Sequence, residues 1–411
     1  MKRILLLILI GIVVSCKNDK RKFEQINFET EYLFDSEIEK KILSDTTPNS
    51  HFGTGFRYQV GAADYATKGN YRNALATWDL AMGTSQKDYN QTQSDSINGL
   101  YKKVNAFDYI TENAKHNQVL IINEAHHSSR HRVFTKSLLQ KLYDSGYKNI
   151  GFEALTNGKD KDSLLNTRKY PVQITGYYVK DPQFGDLVRT ALEIGYYVFS
   201  YEDTTDADGK EREIHQAKNI QRVIENKPKE KFLIHCGFAH ALKGNVSGWE
   251  RAMAGRLEEY TEIQPLTVNQ VYYSEKSKPE FNNPLLKALN LIEPTVLIDG
   301  MGNPMRYEYR ESFSDIAVLH PNTNYVNGRP DWLFNNGNKA TQLNLKDINI
   351  SFPVMVFAYK KGEDIAAAVP IDIVEIENQT DQTLLALRKG QYEIVVQNLD
   401  GDARKFQLNV E

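Results

Sequence analysis

Glu124, His126, His127, Arg130 and His131 crowd one short stretch, Asn123-Glu124-Ala125-His126-His127-Ser128-Ser129-Arg130-His131. A carboxylate beside an imidazole is a water-activating pair. A histidine near its ordinary pKa takes a proton at neutral pH, and the carboxylate fixes its tautomer or stabilises the imidazolium. An arginine close by stabilises negative charge growing on a carbonyl oxygen. The same nitrogen and oxygen donors also suit a divalent metal, although their spacing fits no HExxH-type motif.

The flanking residues place this stretch in a strand-to-helix turn. The run Val119 to Ile122 is apolar without alternation, which predicts a strand buried on both faces. Val133, Phe134, Leu138, Leu139 and Leu142 follow at helical spacing, with Gly146 as a stop. Open α/β sheets bind ligands at such turns. Further strands are predicted at 149–153, 196–201, 231–235 and 268–272. Helices are predicted at 182–194, 212–226 and 248–259, the first with Asp181 as N-cap and Pro182 at its first position. This alternation predicts an α/β fold, a mostly parallel sheet flanked by helices.

Successive strands end in titratable groups: Glu124, Glu153, Glu202-Asp203, then His235 with His240 just beyond. Parallel strands bring these ends to one edge. The expected catalytic set is Glu124, His127, Arg130, Glu153 and His240, with His131, Glu202 and Arg212 lining the substrate site. The alternative use of Glu124, His127, Glu153 and His240 is as metal ligands. With His127 pointing in, its neighbour His126 is expected to point away.

The remaining chain divides by composition. Lys2-Arg3, the apolar run from Ile4 to Val14 and Val13-Val14-Ser15-Cys16 form a lipoprotein signal peptide over residues 1–15, too short to span a bilayer. Its cleavage leaves an acylated Cys16, a polar tether over 16–29, and a mature chain with 48 basic and 53 acidic side chains, net −5. That balance gives no reason to expect nucleic acid as a partner. The expected location is the bacterial envelope, lipid-anchored at the outer membrane. Only Cys236 remains after Cys16, so no intrachain disulfide is possible. Residues 30–116 read as a helical segment containing a tetratricopeptide-like hairpin around Lys68-Gly69-Asn70, with no second copy; Thr84 to Ser96 reads as a loop. Residues 117–340 read as the α/β domain. Residues 341–411 carry short strands and Asp400-Gly401, a hairpin signal, and read as a small antiparallel β-sandwich-like accessory module.

Asn123-Glu124-Ala125-His126-His127-Ser128-Ser129-Arg130 resembles the G-E-x-x-H-G-x-R segment of erythromycin esterase-like proteins. Gly151-Phe152-Glu153-Ala154 resembles that family's F-E-A strand end. Arg212 to Ile220 is similar to its R-D-x-x-M-A-x-N-I helix, and the strand ending in His235 to its histidine-containing fourth motif. Gly237-Phe238-Ala239-His240 is similar to the G-x-x-H element of the Tiki/TraB branch of the wider superfamily, which also holds ChaN-like haem-binding lipoproteins. The resemblance covers about residues 117–275. Asn123 and Ser128 stand where the pattern has glycine, and no macrolide substrate is implied. The resemblance implies His127 as general base, Glu124 and Glu153 positioning it and the water, and Arg130 and His240 assisting at the carbonyl oxygen. It leaves three readings open: a hydrolase of ester or related carbonyl bonds needing no cofactor, a metal-dependent hydrolase or peptidase, and a haem- or ligand-binding lipoprotein. The expected partners are a small-molecule or peptide substrate and, through Cys16, the membrane.

Overall fold

A computed structural model describes residues 22–45 and 55–411. The signal peptide, Cys16 and the start of the tether lie outside the described residues. Six strands form the central sheet: β1 (Val119–Glu124), β2 (Tyr147–Phe152), β3 (Tyr197–Ser200), β4 (Lys231–Gly237), β5 (Leu266–Asn269) and β6 (Ile316–Ala317). All pairings are parallel, in the order β6-β5-β1-β4-β2-β3. The α/β class expected from the alternation is the one observed.

The unalternating strands are buried on both faces because helices cover both. Leu120 and Ile122 of β1 pack with α1 (Ser129–Asp144) and α2 (Pro182–Ile194), through Leu138, Leu142, Leu187 and Ala191. Val119 and Ile121 face the other way, against α3 (Gly209–Asn226) and α4 (Met253–Thr261), through Ala217, Ile220, Met253 and Leu257. Each fully buried aliphatic side chain contributes about 1.5–3 kcal/mol over exposure. The α/β unit starts earlier than residue 117. Lys102–Asn105 pairs with Thr295–Ile298, and the helix Ala106–Ala114 buries Ala106, Ile110 and Ala114 in the core shared with β1 and α1.

Two helices of the N-terminal segment, Phe56–Thr67 and Tyr71–Met82, form the expected hairpin; the Asn70 side chain accepts from the Asn73 amide at the start of the second. Gln91–Leu100 is a helix that begins inside the stretch Thr84 to Ser96 expected to be loop. No residue of it is fully buried, its apolar side chains are only Ile97 and Leu100, and its start is fixed by the reciprocal Asn90–Gln93 capping box.

The C-terminal strands Val354–Lys360, Asp372–Ile376, Gly390–Asn398 and Ala403–Val410 make an antiparallel sheet, and Lys339–Gln342 pairs with Leu384–Leu387 as a separate ribbon. The module is not bounded at 341. Glu24–Ile26, expected in the tether, adds an edge strand to Ala403–Val410. Phe28, Tyr32 and Phe34 cover the face that carries Met355, Phe357 and Tyr359. The opposite face packs Val354, Val356 and Ala358 against Leu385 and Leu387. Among the described residues no helix is long and apolar enough to cross a bilayer.

Candidate functional site

The β1–β4 register places Glu124 opposite Gly237, and the β2–β4 register places Phe152 opposite His235, so Glu124 and Glu153 emerge on either side of β4 at one edge. Glu124 is 1% exposed. Arg132, in the first turn of α1, leans back toward the strand end and clamps both its oxygens, with Nη2 to Oε1 at 2.8 Å. The same guanidinium binds Asp181, the N-cap of α2, which also accepts from Ser129 Oγ. One arginine thus ties the starts of two helices to the end of the central strand. Burial alone raises the Glu124 carboxyl, but Arg132 outweighs it and holds the group well below the usual carboxylate range.

His126 Nδ1 lies 3.1 Å from Glu124 Oε1. Because an ionised carboxylate only accepts, Nδ1 carries a proton, and Nε2 is the nitrogen of this ring that can exchange one. The ring stacks on Tyr178 at 3.8 Å between centroids and meets the edge of Phe238 at 4.9 Å. Its side chain is 19% exposed, so solvent reaches it. A Cβ built on Gly237 would fall 2.8 Å from His126 Nε2 and 3.5 Å from Glu153 Oε2, so these two groups converge on the end of β4.

Glu153 is held by the Gly237 amide at 2.6 Å and by Arg212 Nη2 at 2.7 Å. Burial raises its carboxyl, and His240, Arg212, His126 and the Gly237 amide more than reverse that. Arg212, on α3, also grips Glu202 through Nε at 3.0 Å, and Gln216 adds a further donor to Glu202. Its Nη1 lies 3.1 Å from His240 Nε2. His240 Nδ1 sits 2.7 Å from Glu213 Oε1, and the ring stacks on Trp249. Burial disfavours charge on His240, but Glu153 and Glu213 raise its pKa above the ordinary histidine value.

Glu124, Glu153, Glu202, Arg212 and His240 are therefore brought together as the sequence implies. His127, Arg130 and His131 are not. His127 stacks on Trp78 of the helical hairpin at 4.0 Å, away from Glu124, and burial keeps it neutral. The orientations expected for His126 and His127 are reversed. The structure gives the reason: the ring at 126 is anchored on Glu124, and the ring at 127 is captured by an aromatic from a remote segment. Arg130 reaches Glu275 at 3.0 Å and the Pro321 carbonyl instead of the cluster. His131 Nδ1 accepts from the Ala125 amide at 3.0 Å, so its Nε2–H donates to Ser274 Oγ at 2.9 Å; burial lowers its pKa to about 3, and it pins the turn as a neutral ring. Cys236 is buried, and burial pushes its thiol up.

Sequence reasoning missed Arg132 and Glu213. Each adjoins a recognised position, Glu213 directly after Arg212 and Arg132 directly after His131, and the helical rotation that aims them inward is visible only once the helices are placed. The four residues considered as metal ligands do not converge. Glu124 is occupied by Arg132, and His127 faces Trp78. Among the described residues no three of His, Cys, Asp and Glu are grouped to hold a metal ion.

The chain matches no family model and no curated protein. Among solved structures it is similar to the type III effector HopBA1, at 12% identity and a TM-score of 0.35, over 54% of this chain and 97% of that one. It is also similar to a structure described as bacterial protein toxins, at 14% identity and a TM-score of 0.32, over 57% of this chain and 53% of that one. A third is RRSP, a MARTX toxin effector domain from Vibrio vulnificus CMCP6, at 16% identity and a TM-score of 0.27, over 50% of this chain and 43% of that one. The chain spans about half the length of the latter two. Likeness at this level carries no inference about activity.

Proposed function

We propose that this chain is a hydrolase that activates water against an ester or related carbonyl bond, held at a bacterial envelope by a lipidated Cys16. The observation that carries the reading is His126: a partly exposed imidazole fixed through Nδ1 on a buried, ionised Glu124, with Nε2 and Glu153 both beside Gly237 at the end of β4. In this reading His126 Nε2 takes a proton from water as the water oxygen attacks the carbonyl carbon. Glu124, kept charged by Arg132, stabilises the imidazolium that forms. Arg212 stabilises the negative charge that develops on the carbonyl oxygen. The His126 imidazolium then gives that proton to the leaving group, while His240, bonded to Glu213 and accepting from Arg212, holds the guanidinium in place.

The resemblance to erythromycin esterase-like proteins supports water-activating chemistry on this edge; its motif histidine falls on His127, and the base is assigned to His126 on the contact with Glu124. The reading calls for no cofactor. The envelope location rests on Val13-Val14-Ser15-Cys16. The test is a panel of ester and amide substrates offered to the wild-type protein and to Glu153→Gln. Ester turnover that falls about 100-fold in the variant supports the reading. No turnover of any member by the wild type, or equal turnover by the variant, contradicts it.

A further inference from the structure

A second feature of the sheet edge adjoins Phe238, the ring that also borders His126. The helical hairpin stands against this edge and encloses a cavity of about 520 Å³ with it. Its walls include Leu75, Trp78 and Met82 from the hairpin, and His127, Phe238 and Tyr272 from the strand ends. The volume is in the range of pockets that seat drug-sized ligands. We propose that this cavity is the subsite that seats an uncharged, ring-bearing apolar group of the substrate, presented so that the adjoining carbonyl reaches His126. The proposal rests on the hydrolase reading and deepens it.

Four observations point to that occupant. The wall is aromatic and its rings are nearly parallel: Trp78 lies 4.0 Å from His127 at 13° and 5.5 Å from Phe238 at 17°. Flat rings stack on such a surface with more than area burial alone. The charges at the rim are already matched, Lys276 with Asp79 at 3.4 Å and Glu275 with Arg130 at 3.0 Å, so no unpaired charge calls for an ion. His127 is buried and neutral, and its Nδ1 has no hydrogen-bond partner among the described residues, so this part of the wall offers an uncharged ring.

The fourth observation links the cavity to the base. Phe238 is a single ring shared by both: it stacks toward Trp78, and the His126 ring stands nearly perpendicular to it at 4.9 Å. Its backbone has φ of +36°, a conformation a phenylalanine rarely adopts, and Asn123 Nδ2 holds its carbonyl at 2.6 Å. Strain of this kind persists where the surroundings over-determine it, and it clusters at ligand sites. A group stacked on Trp78 is therefore one ring away from the base.

The experiment uses four probes and three variants of the protein. 2-Naphthol, which has no bond to hydrolyse, reports binding by calorimetry. 2-Naphthyl acetate and ethyl acetate report turnover with and without the ring. Trp78→Leu removes the stacking surface; Leu75→Trp fills the cavity while leaving Trp78 in place, and serves if the first variant fails to fold. The expected result is equal 2-naphthol affinity in wild type and His126→Ala. In Trp78→Leu and Leu75→Trp the affinity falls about tenfold. The KM for 2-naphthyl acetate rises by a similar factor in both, with kcat little changed, while ethyl acetate is spared. Unchanged naphthol affinity in both cavity variants, or an equal loss for ethyl acetate, overturns the subsite. So does octanoate binding that depends on Trp78 where 2-naphthol binding does not, because the cavity then takes a chain. Trp78-dependent naphthol binding by a protein that turns over no ester keeps the subsite and overturns the hydrolase reading.

Discussion

Two arginines two positions apart do different work at the start of one helix. Arg132 is 1% exposed and lies between two buried carboxylates, Glu124 and Asp181. Removing it leaves both without their cation, which costs about 3–5 kcal/mol in comparable buried pairs. Arg132→Met is expected to lose that much unfolding free energy in urea, and Arg130→Met, whose partners are the less deeply buried Glu275 and the Pro321 carbonyl, clearly less. Equal losses would remove Arg132 from its assigned place as the anchor of Glu124. At this scale the sequence is only half legible. Glu124, Glu153, Glu202, Arg212 and His240 are readable as a cluster because parallel topology forces strand ends to one edge. The choice between His126 and His127 is not readable, because it is decided by Trp78, some fifty residues earlier in the chain.

The last residue of β4 shows how an element positions a side chain. Gly237 has φ of −83°, which any residue adopts, so alanine there strains no backbone. A Cβ would nevertheless lie 2.5 Å from His126 Cε1, and the ring must move. Gly237→Ala is expected to lower kcat at least about tenfold while the melting temperature changes little, since misplacing a reacting group by about 1 Å is costly. Wild-type kcat in that variant would show that the ring is not held where the base must be. Elements with a hydrophobic period are legible from the sequence, as for β1, α1 and α2. Elements without one are not: the mostly polar helix Gln91–Leu100 is fixed by its cap and one apolar contact at Ile97, and the strand Glu24–Ile26 only by its pairing with Ala403–Val410.

Across the whole molecule, the C-terminal module is joined to the rest by buried charge. Arg189 of α2 holds both oxygens of Glu363 at 2.7 Å, Arg329 binds Asp372, and Lys68 of the hairpin binds Glu375. It shares its core with residues 28–34, so it is a part of the body more than an appendage. The body also buries four neutral histidines, His127, His131, His235 and His320, each with its pKa lowered by burial, to about 3 for His131 and about 4 for His235. Unfolded, each titrates near about 6.5. The unfolded chain therefore binds more protons below that pH, and stability falls as the pH drops. Each of the four contributes about 1.4 kcal/mol per pH unit below about 6.5 and above its folded pKa. His240 has a raised folded pKa, so its contribution is complete below about 6.5 and is lost only as pH rises through the folded value. Urea unfolding at pH 7.0 and 5.5 is expected to show the loss, with a shallower slope in His131→Gln. Stability that is flat or rising on acidification would mean that these rings are not held neutral.

The central claim is that His126, anchored on Glu124, is the base and His127 is part of the binding wall. The most direct measurement is the steady-state hydrolysis of 2-naphthyl acetate by wild type, His126→Ala and His127→Ala. The account predicts a kcat at least about 100-fold lower in His126→Ala. In His127→Ala it predicts a kcat close to wild type, with the effect confined to KM. Loss of kcat in His127→Ala, with kcat retained in His126→Ala, would contradict it.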